Sequence, residues 1–247
     1  MEFNRFKEII KRNRDFEEHI DIALEEFHQI INWTGGDIPK MIKEIGDKLD
    51  TLIVHIPMKD PEFGACYFAT SYSKYLLLNS NQARNKMYFS FCHDIYHILN
   101  GTPNYINEKR EVHLNQSYFE NDNESKASFF AANLLMPKNQ FKQLYGLYSV
   151  ENNSIEEIAV KLMTFFEAPY VSVLIRMYEL ELLKNLTGVK DLLQYDNKTI
   201  EEIMEALWID KDCLLASKKD EVKYLFKSLE EEGSRLVAKG LLSDYDF

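Results

Sequence analysis

This chain of 247 residues is poor in cysteine: Cys66, Cys92 and Cys213 are its only three, and no C-x-x-C pair occurs. That excludes a disulfide framework and makes a reducing cytoplasm the expected compartment. No run of about 18 apolar residues exists to span a bilayer. The opening stretch "MEFNRFKEIIKRNRDFEEH" carries charges throughout and lacks an apolar h-region, so no signal peptide is expected. Positive charge is in deficit. Against 29 Lys and Arg stand 40 Asp and Glu, for a net charge of −11. Such a chain is expected to avoid nucleic acid and anionic membranes, and a basic protein partner suits it better. Internal repeats and low-complexity stretches are also missing. What remains is ordinary for a soluble globular protein, 45% apolar and 28% charged. The length fits one large domain or a domain with an extension.

Apolar residues at three- and four-residue spacing predict helices over "FKEIIKRN" and "DFEEHIDIALEEFHQIINW", and a shorter one over "IPKMIKEIGDKL" with Pro39 in its first turn. The texture then changes. "TLIVHIPM" (51–58), "GACYFAT" (64–70) and "KYLLLN" (74–79) are short and rich in β-formers. They predict a small antiparallel sheet of three strands, with "KYLLLN" offering an edge on which an extended peptide could pair. "NQARNKMYFSFCHDIYHIL" predicts a long helix ending before Asn100-Gly101. Residues 101–123 are polar and irregular. Helical texture resumes at "ESKASFFAANLLMP", and capping boxes are expected at Ser154 with Glu157 and at Thr199 with Glu202.

Six histidines are present, and two of them, His93 and His97, stand four residues apart with Asp94 after the first. On a helix this spacing puts both rings on one face, where they can converge on one ion. Chance would supply about 0.02 such matches in a chain of this composition. A catalytic zinc takes three protein ligands and keeps one position open. Glu108, Glu111, His113, Glu120, Asp122 and Glu124 are near enough in sequence to supply the third. Glu124 is the first choice, because it opens a helix whose small residues Ala127 and Ala131 allow close approach; His113 is the rival. His19, His28 and His55 have no partner at ligand spacing. Cys92 and Tyr96 read as core residues of the histidine helix.

"LLLNSNQARNKMYFSFCHDIYHIL" followed by "ESKASFFAANLLMP" resembles the ImmA/IrrE metallopeptidase family. Members show a strand ending in Asn, an R-x-x-F-x-x-x-H-E-x-x-H helix and a second helix carrying E-x-x-A-x-x-F-A-x-x-L-L-M-P. Here Arg84 precedes the helix core, His93 and His97 fill the histidine positions and Glu124 fills the glutamate-ligand position. "VSVLIRMYELELL" (171–183) resembles the segment that follows in the family, and the likeness covers roughly residues 40–185. With the pattern of β-rich segments between helices it implies an α+β, mostly helical zincin-like domain over 1–187; residues 188–247 match nothing in the family and read from their own helical texture as a C-terminal helical extension. It also implies a zinc-dependent endopeptidase that cleaves or regulates helix-turn-helix repressors of prophages and mobile elements.

The family's catalytic glutamate is replaced by Asp94. The carboxylate is kept on a stem about 1.5 Å shorter, and a misplacement near 1 Å can cost on the order of 100-fold in rate. Asp94 is read as a general base of reduced efficiency. The other reading is a zincin fold that binds a repressor or toxin partner without cutting it. Tyr105, His113 and Tyr118 are candidate oxyanion donors. "SIEEIAVKLMTFFEAPYVSVLIRMYEL" also has helix-turn-helix texture, but only Arg176 and Lys184 are available to a recognition helix there, which is poor for phosphate anchoring.

Overall fold

The structure, a computed structural model, describes residues 1–33, 35–69, 74–100, 122–183, 186–241 and 243. Helix dominates. The two helical stretches expected at the start are one continuous helix, α1 (Phe3–Ile30), followed by α2 (Ile38–Leu49). Asp37 caps α2 by accepting from Lys40 N–H, with Pro39 in the first turn. Three strands come next: β1 (Thr51–Ile56), β2 (Ala65–Ala69) and β3 (Lys74–Asn79). They precede the histidine helix α3 (Arg84–Leu99) and its partner α4 (Asp122–Leu135). The chain continues through α5 (Lys138–Val150), α6 (Ile155–Phe166), α7 (Tyr170–Glu179), α8 (Leu186–Leu192), α9 (Asn197–Ala206) and α10 (Glu221–Ala238).

The sheet is mixed, and this corrects the antiparallel expectation. Its order is β1-β3-β2, with β1 parallel and β2 antiparallel to β3. "KYLLLN" is therefore the central strand, with no free edge for a peptide; β1 and β2 are the edges. Asn79, at the end of β3 and fully buried, supplies the physical reason. Its side chain donates to the Asp60 and Phe63 carbonyls at 2.7 and 2.6 Å and accepts from Met58 N–H and Asn81 N–H at 3.0 Å each. It thereby fastens the connection that carries the chain from β1 past β3 to the far edge. Inward alternation on β2 and β3 (Ala65, Tyr67, Leu76, Leu78) meets α3. Gly64, just before β2, approaches α3 so closely that a Cβ there would lie 2.1 Å from Ser90 Oγ.

α3 and α4 pack face to face, with Ala127 and Ala131 fully buried between them. Phe27 of α1, Tyr96 of α3 and Phe130 of α4 meet in one aromatic cluster, Phe130 standing 6.2 Å from Phe27 and 5.7 Å from Tyr96 between ring centres. The capping box at Ser154 and Glu157 is formed. The one expected at Thr199 is not. Asp196 caps α9 instead, accepting from Thr199 N–H, because its carboxylate stands three residues ahead of that amide.

α6 and α7 bend through 109° across a three-residue break containing Pro169. That is helix-turn-helix geometry. Yet Val173, Leu174, Ile175, Arg176 and Met177 of α7 are buried, and Arg176 donates to the Met136 carbonyl and faces Glu179. The cation a recognition helix would need is engaged inside the core. Val189, Leu192, Leu193, Ile200 and Met204 of the C-terminal segment join the same buried core. Among the described residues no single helix is long and apolar enough to cross a membrane.

Candidate metal centre

His93 and His97 lie one turn apart on α3, and Glu124 reaches them from the first turn of α4. All three are buried, at 1%, 5% and 8% exposure. The two Nε2 atoms stand 3.2 Å apart, the Glu124 carboxylate lies 3.0 Å from His93 Nε2 and 3.4 Å from His97 Nε2. Ligands of a tetrahedral zinc at about 2.0–2.1 Å stand about 3.3–3.4 Å from one another, so the three atoms have the spacing one ion needs. Their chemistry agrees: two imidazole nitrogens and a carboxylate aim at one point. Among the described residues this is the group of His, Asp, Glu and Cys whose ligand atoms come close enough to share an ion. The Glu124 carboxyl is raised by burial, but hydrogen bonds and charge from His93 and His97 overcome this and hold it well below the usual carboxylate range.

The outer nitrogen of His93 is also placed. Its Nδ1 lies 3.1 Å from Ser128 Oγ, one turn beyond Glu124 on α4. A hydroxyl that accepts from Nδ1–H leaves the Nε2 lone pair facing the centre. Sequence reasoning missed Ser128, although its spacing of four from Glu124 puts it on the same helix face.

Asp94 is 2% exposed and its Oδ2 has no hydrogen-bond partner. Burial pushes its carboxyl up to about 7, with His97 opposing and Glu124 adding to the rise. Its charge in turn raises the Cys66 thiol and the Tyr67 phenol, after burial, which locates it against β2. A buried carboxylate with an unused oxygen thus stands next to the group that could hold an ion.

Glu108, Glu111, His113 and Glu120, and the donor candidates Tyr105, His113 and Tyr118, lie outside the described residues. Asp122 is exposed in the first turn of α4, away from the cluster. Cys92 is fully buried and its thiol is pushed far up by that burial, which leaves it inert. His19 bonds the Tyr96 hydroxyl at 2.8 Å, and His55 bonds Glu221 at 2.8 Å. Arg84 pairs with Glu167 at 2.6 Å, beyond the end of α6, and serves packing.

Residues 47–178 match the model of a peptidase family described as the IrrE N-terminal-like domain. The match contains all three strands, the histidine helix and α4 with Glu124. No curated protein matches the chain.

Proposed function

Because the chain belongs to the IrrE N-terminal-like peptidase family, we propose that it is a zinc-dependent endopeptidase in which His93, His97 and Glu124 hold the metal and Asp94 is the general base. The carrying observation is the convergence of three buried ligand atoms beside a buried carboxylate with a free oxygen. Bound there, zinc would polarise a peptide carbonyl and acidify water. Ser128 fixes the ring of His93, and the second histidine is set by its place one turn on. Asp94 takes the proton from the attacking water and delivers it to the amine nitrogen that leaves.

The substrate proposed is a helix-turn-helix repressor of a prophage or mobile element, acting with this protein in the cytoplasm. The family resemblance supports it. So does the net charge of −11, which attracts the basic surface such a repressor uses on DNA. The short stem of Asp94 favours a second reading, a zincin fold that holds its partner without cutting it.

The test is metal analysis of the purified protein followed by incubation with repressors encoded beside its gene. One zinc per chain and a cut repressor are expected. Asp94→Asn should keep the zinc and lower cleavage by about 100-fold or more, whereas Asp94→Glu should retain or raise it. Cleavage by the Asn variant equal to wild type removes Asp94 from the mechanism. A wild type that binds repressor without cutting it, beside a Glu variant that cuts, establishes the second reading.

A further inference from the structure

We propose that α10 is a dimerisation element, pairing antiparallel with α10 of a second copy of this chain. The helix runs for 18 residues, Glu221–Ala238. It touches β1, and Glu221 at its start bonds His55. None of its described residues joins the buried core or packs against it. Yet its sequence is not that of a fully solvated helix. Val222, Phe226, Leu229, Gly233 and Leu236 recur at steps of four and three. That is the spacing of a seam along which one helix lies against another. Phe226 and Leu229 stand in this seam at 67% and 56% exposure. A lone exposed leucine needs no explanation, but a continuous apolar stripe carrying an aromatic marks an interaction surface.

The spacing selects the kind of surface that covers the stripe, and charge selects whose it is. A seam of heptad period is covered by a second helix. Along α10 stand three cations, Lys223, Lys227 and Arg235, and four anions, Glu221, Glu230, Glu231 and Glu232. The element is close to neutral in a chain of net charge −11, so two copies repel least when they meet here.

The order of residues along the helix sets the register. With a two-fold axis between positions 227 and 228, Phe226 of each copy meets Leu229 of the other, and Val222 meets Gly233. Lys223 then faces Glu230 of the second copy, and symmetry makes the contact twice. Sliding the pair by seven residues one way sets Lys223 against its own counterpart, and the other way sets Glu230 against its own. A parallel pair places Glu230 beside Leu225 and gains no opposite charge. Lys223 already lies 3.5 Å from Asp220 on the exposed surface. That contact need not break, since an ammonium offers three donors, and exposed pairs of this kind contribute little by themselves. The apolar seam supplies the affinity, and the Lys223–Glu230 contacts choose the alignment.

Sedimentation equilibrium of the full chain tests this. At about 100 µM, enough to fill a dimer with a Kd of about 10 µM or tighter, the mass of two chains is expected. Phe226→Glu and Leu229→Glu should each weaken association by about tenfold or more. Circular dichroism should stay native in both, because both side chains face solvent in the single chain. Tyr224→Glu, 77% exposed on the opposite side of the helix, should change nothing. Lys223→Glu and Glu230→Lys should each weaken the dimer about fivefold, and the two together should restore most of it. A wild type with the mass of one chain overturns the proposal; co-sedimentation of that single chain with phospholipid vesicles would assign the face to a membrane instead. A dimer indifferent to Phe226→Glu overturns it too, as does one disturbed equally by Tyr224→Glu or a double variant no tighter than the single ones. Zinc content and cleavage play no part in these readouts, so failure here leaves the peptidase reading standing.

Discussion

Asp94 carries its carboxylate one methylene short of the glutamate in the H-E-x-x-H pattern, and it is buried next to the His93, His97 and Glu124 group. Burial pushes its carboxyl up to about 7 in the metal-free chain, and a cation bound at the neighbouring ligands would oppose that rise. Its neighbour in function is Ser128. If Ser128 holds His93 in the tautomer that offers Nε2, Ser128→Ala should lower zinc affinity by about 10- to 100-fold, and Ser128→Thr should restore most of it. Competition against a chromogenic chelator measures this without any substrate. His97→Ala removes a ligand outright, and zinc should no longer co-purify at one per chain.

At the scale of elements, the mixed sheet depends on one amide side chain and one absent side chain. Asn79→Ala strips four hydrogen bonds from a buried turn, and a loss of about 2–4 kcal/mol is expected from urea unfolding. Gly64→Ala drives a methyl group into Ser90, so the sheet must lift from α3 at a cost of about 1–3 kcal/mol. The outer edge of β1 is held by Glu221 at the start of α10, which accepts from both the backbone and the ring of His55. Burial would raise the Glu221 carboxyl, but Lys219 and those two bonds from His55 bring it down to about 2, from an ordinary 4.5. A depressed folded-state value stabilises fully above 4.5 and is lost as pH falls toward 2. The stability difference between wild type and Glu221→Gln should therefore shrink as pH falls from 4.5 toward 2, as urea midpoints taken across pH would show.

For the whole molecule, the C-terminal segment does two separate jobs. Residues 186–214 complete the core, through Val189, Leu193, Ile200 and Leu214. Residues 215–221 tie down the sheet: Arg84 N–H donates to the Leu215 carbonyl, Lys218 N–H to the Ser80 carbonyl, and Glu221 covers the β1 edge. Ending the chain after residue 214 should leave stoichiometric zinc binding in place, since no ligand is removed. It should also bare a strand edge, and faster aggregation by light scattering is the expected result.

The sequence alone determined the helix that carries His93 and His97, because four-residue spacing and an apolar flank are local properties of the chain. It also determined that Glu124 opens the next helix on a face with Ala127 and Ala131, and that three β-rich segments lie between helices. Only the tertiary structure decided the order and sense of those strands. Pairing is a long-range matter, and here a buried amide at Asn79 settles it, so that "KYLLLN" takes the centre and not an edge. Only the tertiary structure brought Ser128 to His93, since a serine inside a helix carries no mark of what the opposite helix presents. The carboxyl of Asp94 follows the same division. Its place in the motif is written in the sequence, but its loss of solvent, which sets its proton affinity, exists only once β2, α3 and α4 have closed around it.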